Sequence, residues 1–97
     1  MVLSAQLQEL GVVRYTPAGL PALDCRLLHA STVTEDGQPR KVSLEIRAVA
    51  IGEITRSLGA MQLGAHGTFV GFLASMRNGR GLLFHITSLT PSLSAET

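Results

Sequence analysis

The sequence predicts an all-β fold, a barrel of five strands with one short helix between the third strand and the fourth. Three observations point there. Apolar and polar residues alternate with a period of two in separate stretches, from Leu3, Ala5 and Leu7 near the start to Val42, Leu44 and Ile46 mid-chain. Turn chemistry falls between those stretches at short intervals. The period turns helical once, between Glu53 and Leu63.

At 97 residues the chain makes a single domain, which we assign to residues 1–91, with 92–97 as a flexible, Ser-containing tail. The residues are 45% hydrophobic and 15% charged, more apolar than an average soluble domain. A small barrel cannot bury all of that surface, so a second copy of the chain is expected to cover part of it.

Strand one places Leu3, Ala5 and Leu7 on one side and Ser4, Gln6 and Gln8 on the other. Gly11 interrupts it, and a glycine inside a strand pattern marks a bulge or bend of the kind that curls a small barrel shut. Val12 and Val13 continue beyond. In Tyr15-Thr16-Pro17-Ala18-Gly19, Pro17 fixes φ and Gly19 accepts a positive φ, so a hairpin follows. Strand two sets Leu23, Cys25 and Leu27 on one face and Asp24, Arg26 and Leu28 on the other. An Asp36-Gly37 turn leads to strand three, where Val42, Leu44 and Ile46 alternate with Ser43, Glu45 and Arg47 before the run continues from Ala48 to Ile51. Strands two and three thus form a long hairpin with one wet face.

Between Glu53 and Leu63, Ile54, Leu58 and Met61 share a helical stripe, which predicts a short helix. Strand four follows at Thr68–Ala74, then the hairpin signal Asn78-Gly79, then strand five from Leu82 to Ile86. Five strands with a helical plug after the third match an OB-fold barrel. Periodicity by itself leaves another small barrel or an open sheet possible.

Several short runs carry more than periodicity. Arg14-Tyr15-Thr16-Pro17-Ala18-Gly19, closing strand one, resembles the first hairpin of bacterial single-stranded DNA-binding proteins. Gly19-Leu20-Pro21, Leu27-Leu28-His29-Ala30-Ser31, Gly71-Phe72-Leu73 and Leu83-Phe84-His85 resemble more closely one branch of that superfamily, the primosomal replication proteins of the PriB family. In order and spacing the resemblance covers nearly the whole chain, from Leu3 to Leu89. The sequence also ends soon after the barrel, whereas single-stranded DNA-binding proteins proper carry a long tail with an acidic end. The resemblance implies an OB-fold homodimer in the cytoplasm that binds single-stranded DNA. It also implies contact with a PriA-type helicase and other primosome proteins in replication restart, with no membrane, cofactor or catalysis.

The chain departs from the family pattern twice. Ser43 stands where the better-described members carry an aromatic residue on the outer face of strand three. The hairpin between strands four and five holds only Arg77 and Arg80 where they carry several lysines. Each change weakens DNA binding, since a stacked base contributes about 1–3 kcal/mol and each phosphate contact adds affinity and salt dependence.

With eight Lys+Arg against seven Asp+Glu, a nucleic-acid site has to come from local clustering of cations. The candidate contacts are Arg14, Tyr15, Arg26, Arg40, Lys41, Arg47, Arg77 and Arg80. Arg14 and Tyr15 offer a cation and a ring where strand one meets its turn, against a plain reading in which the ring packs on the barrel rim. Arg26 and Arg47 lie on the outer face, with Asp24 and Glu45 as the competing ion-pair partners. Arg40 and Lys41 are the adjacent basic pair, and Arg77 and Arg80 flank a hairpin tip. Phe72 reads as a core or interface residue, with exposed stacking as the alternative.

No Ser/His/Asp or Cys/His set and no phosphate-binding glycine loop is legible, and His29, His66 and His85 are scattered, so neither an enzyme nor a metal site is expected. Cys25, the single cysteine, reads as a buried strand residue in a reducing compartment. The rival functional readings are a protein-interaction adaptor with vestigial DNA binding, a single-stranded DNA-binding protein lacking its acidic tail and, more distantly, a small ligand-binding barrel or enzyme.

Overall fold

The computed structural model describes residues 1–76, 79 and 81–91. Arg77, Asn78, Arg80 and the tail 92–97 expected from the sequence lie outside the described residues. The elements run β1 (Val2–Leu10), β2 (Arg14–Tyr15), β3 (Pro21–Glu35), β4 (Gln38–Ile51), α1 (Ile54–Gly59), β5 (His66–Ser75) and β6 (Leu82–Pro91).

Closure depends on β1, which pairs with β5 from Val2 to Gln6 and with β3 from Gln6 to Leu10. The wall then runs β1, β3, β4, β6, β5 and back to β1, antiparallel except for β4 against β6. Five strands therefore form the barrel, as the alternation predicts. The two-residue β2 is a further short ladder, Arg14 opposite Ala22 and Tyr15 opposite Pro21, which the sequence pattern merged with strand one.

The alternating residues face inward as expected: Leu3, Ala5, Leu7, Leu23, Cys25 and Leu27 are all buried. Phe69, Phe84, Leu7, Leu27 and Leu58 are the largest fully buried side chains. The helical stripe plugs one end, with Leu58 and Met61 buried and Ile54 packed against them. Thr55 Oγ1 donates to the Gly52 carbonyl at 2.7 Å and ties the helix start to the end of β4. The helix is shorter than the stripe suggests, because the chain leaves it after Gly59.

Two expectations need correction. The bend read at Gly11 is made by a bulge between Leu7 and Glu9. Gly11 serves instead as a close approach, its N–H donating to the Asp24 carbonyl at 2.8 Å. The hairpin of β3 and β4 is wet on both faces in its distal half, leaving Val42 and Leu44 exposed. The cause is topological: β1 accompanies β3 no farther than Leu28, and β6 meets β4 only from Ala48 to Ala50. In addition, a bulge unmarked in the sequence pattern sits in β6, where Thr87 is the extra residue between Ile86 opposite Gly71 and Ser88 opposite Val70.

Candidate nucleic-acid interface

Directly opposite residues of an antiparallel pair project to the same face. With Cys25 opposite Ala48 and Leu27 opposite Ile46 turned inward, Arg26 opposite Arg47 and Asp24 opposite Val49 are turned outward. Arg26 and Arg47 are thus immediate cross-strand neighbours on the outer wall, as the alternation predicts. Like charges so placed repel.

The acidic partners differ from those expected. Asp24 is taken by Arg14, whose Nε and Nη2 donate to the two carboxylate oxygens at 3.0 and 3.2 Å. That hydrogen bonding, and then the charge of Asp24, raises the Arg14 guanidinium above its ordinary pKa. Arg26 has Glu9 at 3.8 Å, a loose contact. Arg47 has no acidic partner within ion-pair distance among the described residues. The two arginines line one groove of about 470 Å³ together with Glu9, Asp24, Met76 and Leu83.

The remaining candidates separate. Tyr15 is 70% exposed, so its ring is presented to solvent and does not pack on the rim. Arg40 is held by Glu35 at 2.7 Å near the hairpin tip. It stands opposite Val33, whereas Lys41 stands opposite Thr32, so the adjacent basic pair points to opposite faces of the ribbon. Arg77 and Arg80 lie outside the described residues. Ser43 is exposed on the outer face opposite Ala30.

Phe72, which the sequence reads as a core or interface residue, is not part of the core. It is exposed on the outer wall, and its ring stacks on that of His85 with centroids 4.8 Å apart and planes 2° from parallel. The signal available was its alternation with the inward Gly71 and Phe69.

Cys25 lines the same groove but is itself buried in the wall, and burial pushes its thiol up to about 12, with the charge of Asp24 adding to the shift. Thiolate is the nucleophile, so the native protein should resist alkylation at pH 8 and react fully only in denaturant, as thiol titration would measure. Because the folded-state pKa is the higher one, the burial of Cys25 favours folding below pH 9.0 and that contribution fades as pH rises toward 12. Among the described residues no group of three or more His, Cys, Asp or Glu gathers as a metal site.

This geometry has known relatives. A family model described as another single-strand binding protein family matches residues 1–88. Replication restart protein PriB of Bordetella pertussis is 49% identical over 75 residues, covering 77% of this chain and 70% of the relative. The chain belongs to the single-strand binding protein family, in its PriB branch. PriB of Ralstonia solanacearum, a solved structure, superposes with a TM-score of 0.82 at 36% identity over 94% of both chains. The small single-stranded DNA-binding protein of Streptomyces coelicolor matches the fold at a TM-score of 0.76 and 14% identity, over 100% of this chain and 95% of its own. The relatives are named for binding and for replication restart, and none of these names denotes a reaction. No helix of the described residues is long and apolar enough to cross a membrane.

Proposed function

We propose that this chain is the single-stranded DNA-binding accessory protein of the replication restart primosome, gripping DNA with the outer wall of β3 and β4. It works as a cytoplasmic homodimer that docks on a PriA-type helicase and other primosome proteins, with residues 1–91 as the binding domain. The observation that carries this reading is the adjacency of Arg26 and Arg47 over one groove, a repulsive pair that a phosphodiester would relieve. Tyr15 and Lys41 are the further contacts, their side chains without an ion-pair or hydrogen-bond partner among the described residues, and Arg14 and Arg40 contribute less because carboxylates already hold them. Arg77 and Arg80 remain proposed contacts on the strength of the sequence alone. Fluorescence anisotropy with a labelled oligo-dT should show binding that weakens steeply as salt rises. No binding at low salt would reject this reading.

The ion pairs on Arg14 and Arg40 favour a second reading, an adaptor of the same fold whose contacts are chiefly to protein. Salt-insensitive association with a PriA-type helicase, together with absent oligonucleotide binding, would select it.

The homodimer has an available seam. Successive residues of an antiparallel strand turn their N–H and C=O to opposite edges. Met1 and Leu7 use theirs on the β5 side, with Gly71 N–H donating to the Met1 carbonyl at 2.9 Å and Leu7 N–H to the Ala65 carbonyl at 2.9 Å. The even residues of β1 therefore face the other edge. There Gln6 is matched to Leu28 of β3, and Val2 and Ser4 lie beyond the last β1–β3 pair. The free edge thus belongs to Val2 and to the Ser4 N–H, the Ser4 carbonyl being engaged by His29 Nδ1 at 2.6 Å. Sedimentation should report a dimer for the native chain and a folded monomer for Ser4→Pro, which removes a donor from the seam. Gln6→Pro, by contrast, should damage the barrel itself. A native monomer at micromolar concentration rejects the homodimer, and a Ser4→Pro dimer places its interface elsewhere.

A further inference from the structure

The chain has no tryptophan, three phenylalanines and one tyrosine. Phe69 and Phe84 are fully buried, so the rings available to a ligand are those of Tyr15 and Phe72, the latter 53% exposed. An outward phenylalanine contributes nothing to the core, which is filled along the same strands by Phe69, Phe84 and Ile86. It is nevertheless held in place: His85, directly opposite on β6, stacks flat against one face of its ring. The other face is left as a fixed, flat π surface.

Its place on the wall relates it to the charged groove. On the side of the sheet away from the core one row runs Asp24, Val49, His85, Phe72, in which Val49 is itself covered, and Arg26 and Arg47 lie in the adjacent row, two residues along from Asp24 and Val49. Phe72 is thus two strand spacings from β4, about 10 Å, and two residues along from the Arg47 row, about 7 Å. A short stretch of single strand covers both. Base–aromatic stacking tolerates any sequence, because every base has a π face.

We infer that Phe72, backed by His85, is the stacking platform for a nucleobase of a strand whose phosphates lie on Arg26 and Arg47. The inference rests on the DNA-binding reading above. It also supplies, two strands away on β5, a stacking surface that Ser43 of β4 does not.

Phe72→Leu keeps an apolar side chain and removes the ring, so it separates stacking from simple coverage. Oligo-dT and an abasic phosphodiester of equal length are titrated against the full chain and this variant by anisotropy, with thermal melting to establish the fold. The variant should lose about fivefold or more in affinity for oligo-dT and nothing for the abasic strand. Phe72→Trp should bind oligo-dT at least as well as the native chain, and its new indole fluorescence should be quenched by the bases but not by the abasic strand. Equal loss on both strands, or no loss on either, overturns the platform while leaving DNA binding in place. Failure of the native chain to bind oligo-dT overturns both.

Discussion

Replacing Arg26 and Arg47 together by alanine should lower the affinity for a single strand about tenfold or more and flatten its salt dependence. Each phosphate contact on a single strand contributes about 0.7 to the slope of log K against log salt, so two lost contacts should reduce that slope by about 1.4. The same double variant should melt no lower than the native chain. The two side chains are opposite one another on the outer wall, their mutual repulsion opposes the native pairing, and the contact from Arg26 to Glu9 is a loose one. Arg14→Ala and Arg40→Ala provide the internal comparison, with smaller losses expected, because Asp24 and Glu35 already balance those charges. Anisotropy titrations across a salt series, with calorimetric melting, give both quantities. Unchanged affinity and slope in the double variant would remove the groove from the DNA path.

Much of this arrangement is legible in the sequence, and what is not has identifiable causes. Strict alternation from Leu23 to Leu28 and from Val42 to Arg47 is enough to place Arg26 and Arg47 on one outward face, since a period of two permits no other assignment. Alternation does not say which strand accompanies which, or for how long. For that reason Val42 and Leu44 read as core residues, although the hairpin outruns its neighbours and leaves them in solvent. Ion pairing was similarly opaque. Asp24 reads as a cross-strand ion-pair partner on the face of Arg26 and Arg47, yet the short β2 ladder delivers Arg14 to it in bidentate geometry. A two-residue ladder has too little pattern to be seen in advance. Bulges are the last blind spot, since each adds a residue without changing composition: the one at Gln8 reads as a bend at Gly11, and the one at Thr87, facing Gly71, leaves no mark in the pattern.

The missed bulge carries the largest expected effect on stability. Gly71→Ala should cost about 3 kcal/mol or more, above the ordinary range for overpacking. A Cβ on Gly71 would stand 1.8 Å from the His85 carbonyl oxygen and 2.8 Å from its carbon, and both belong to backbone, so no rotamer change can make room. Relief requires β5 and β6 to separate where the register shifts and where Phe72 is set against His85. For a domain of this size about 1 kcal/mol moves Tm by roughly 4–8 °C, so the variant should melt at least about 12 °C lower or fail to fold. Gly59→Ala is the matched control. Its Cβ meets only Leu23 Cδ2 at 3.8 Å within a helix, and it should hold or raise Tm, because alanine favours a helix over glycine by about 0.5–1 kcal/mol. If Gly71→Ala still folds, stacking at Phe72 should suffer as well, so its affinity for oligo-dT should fall beyond any loss from partial unfolding at the assay temperature. A Gly71→Ala protein that melts within a few degrees of the native chain would mean that β5 and β6 do not cross this closely, and the placement of Phe72 beside His85 would fall with it.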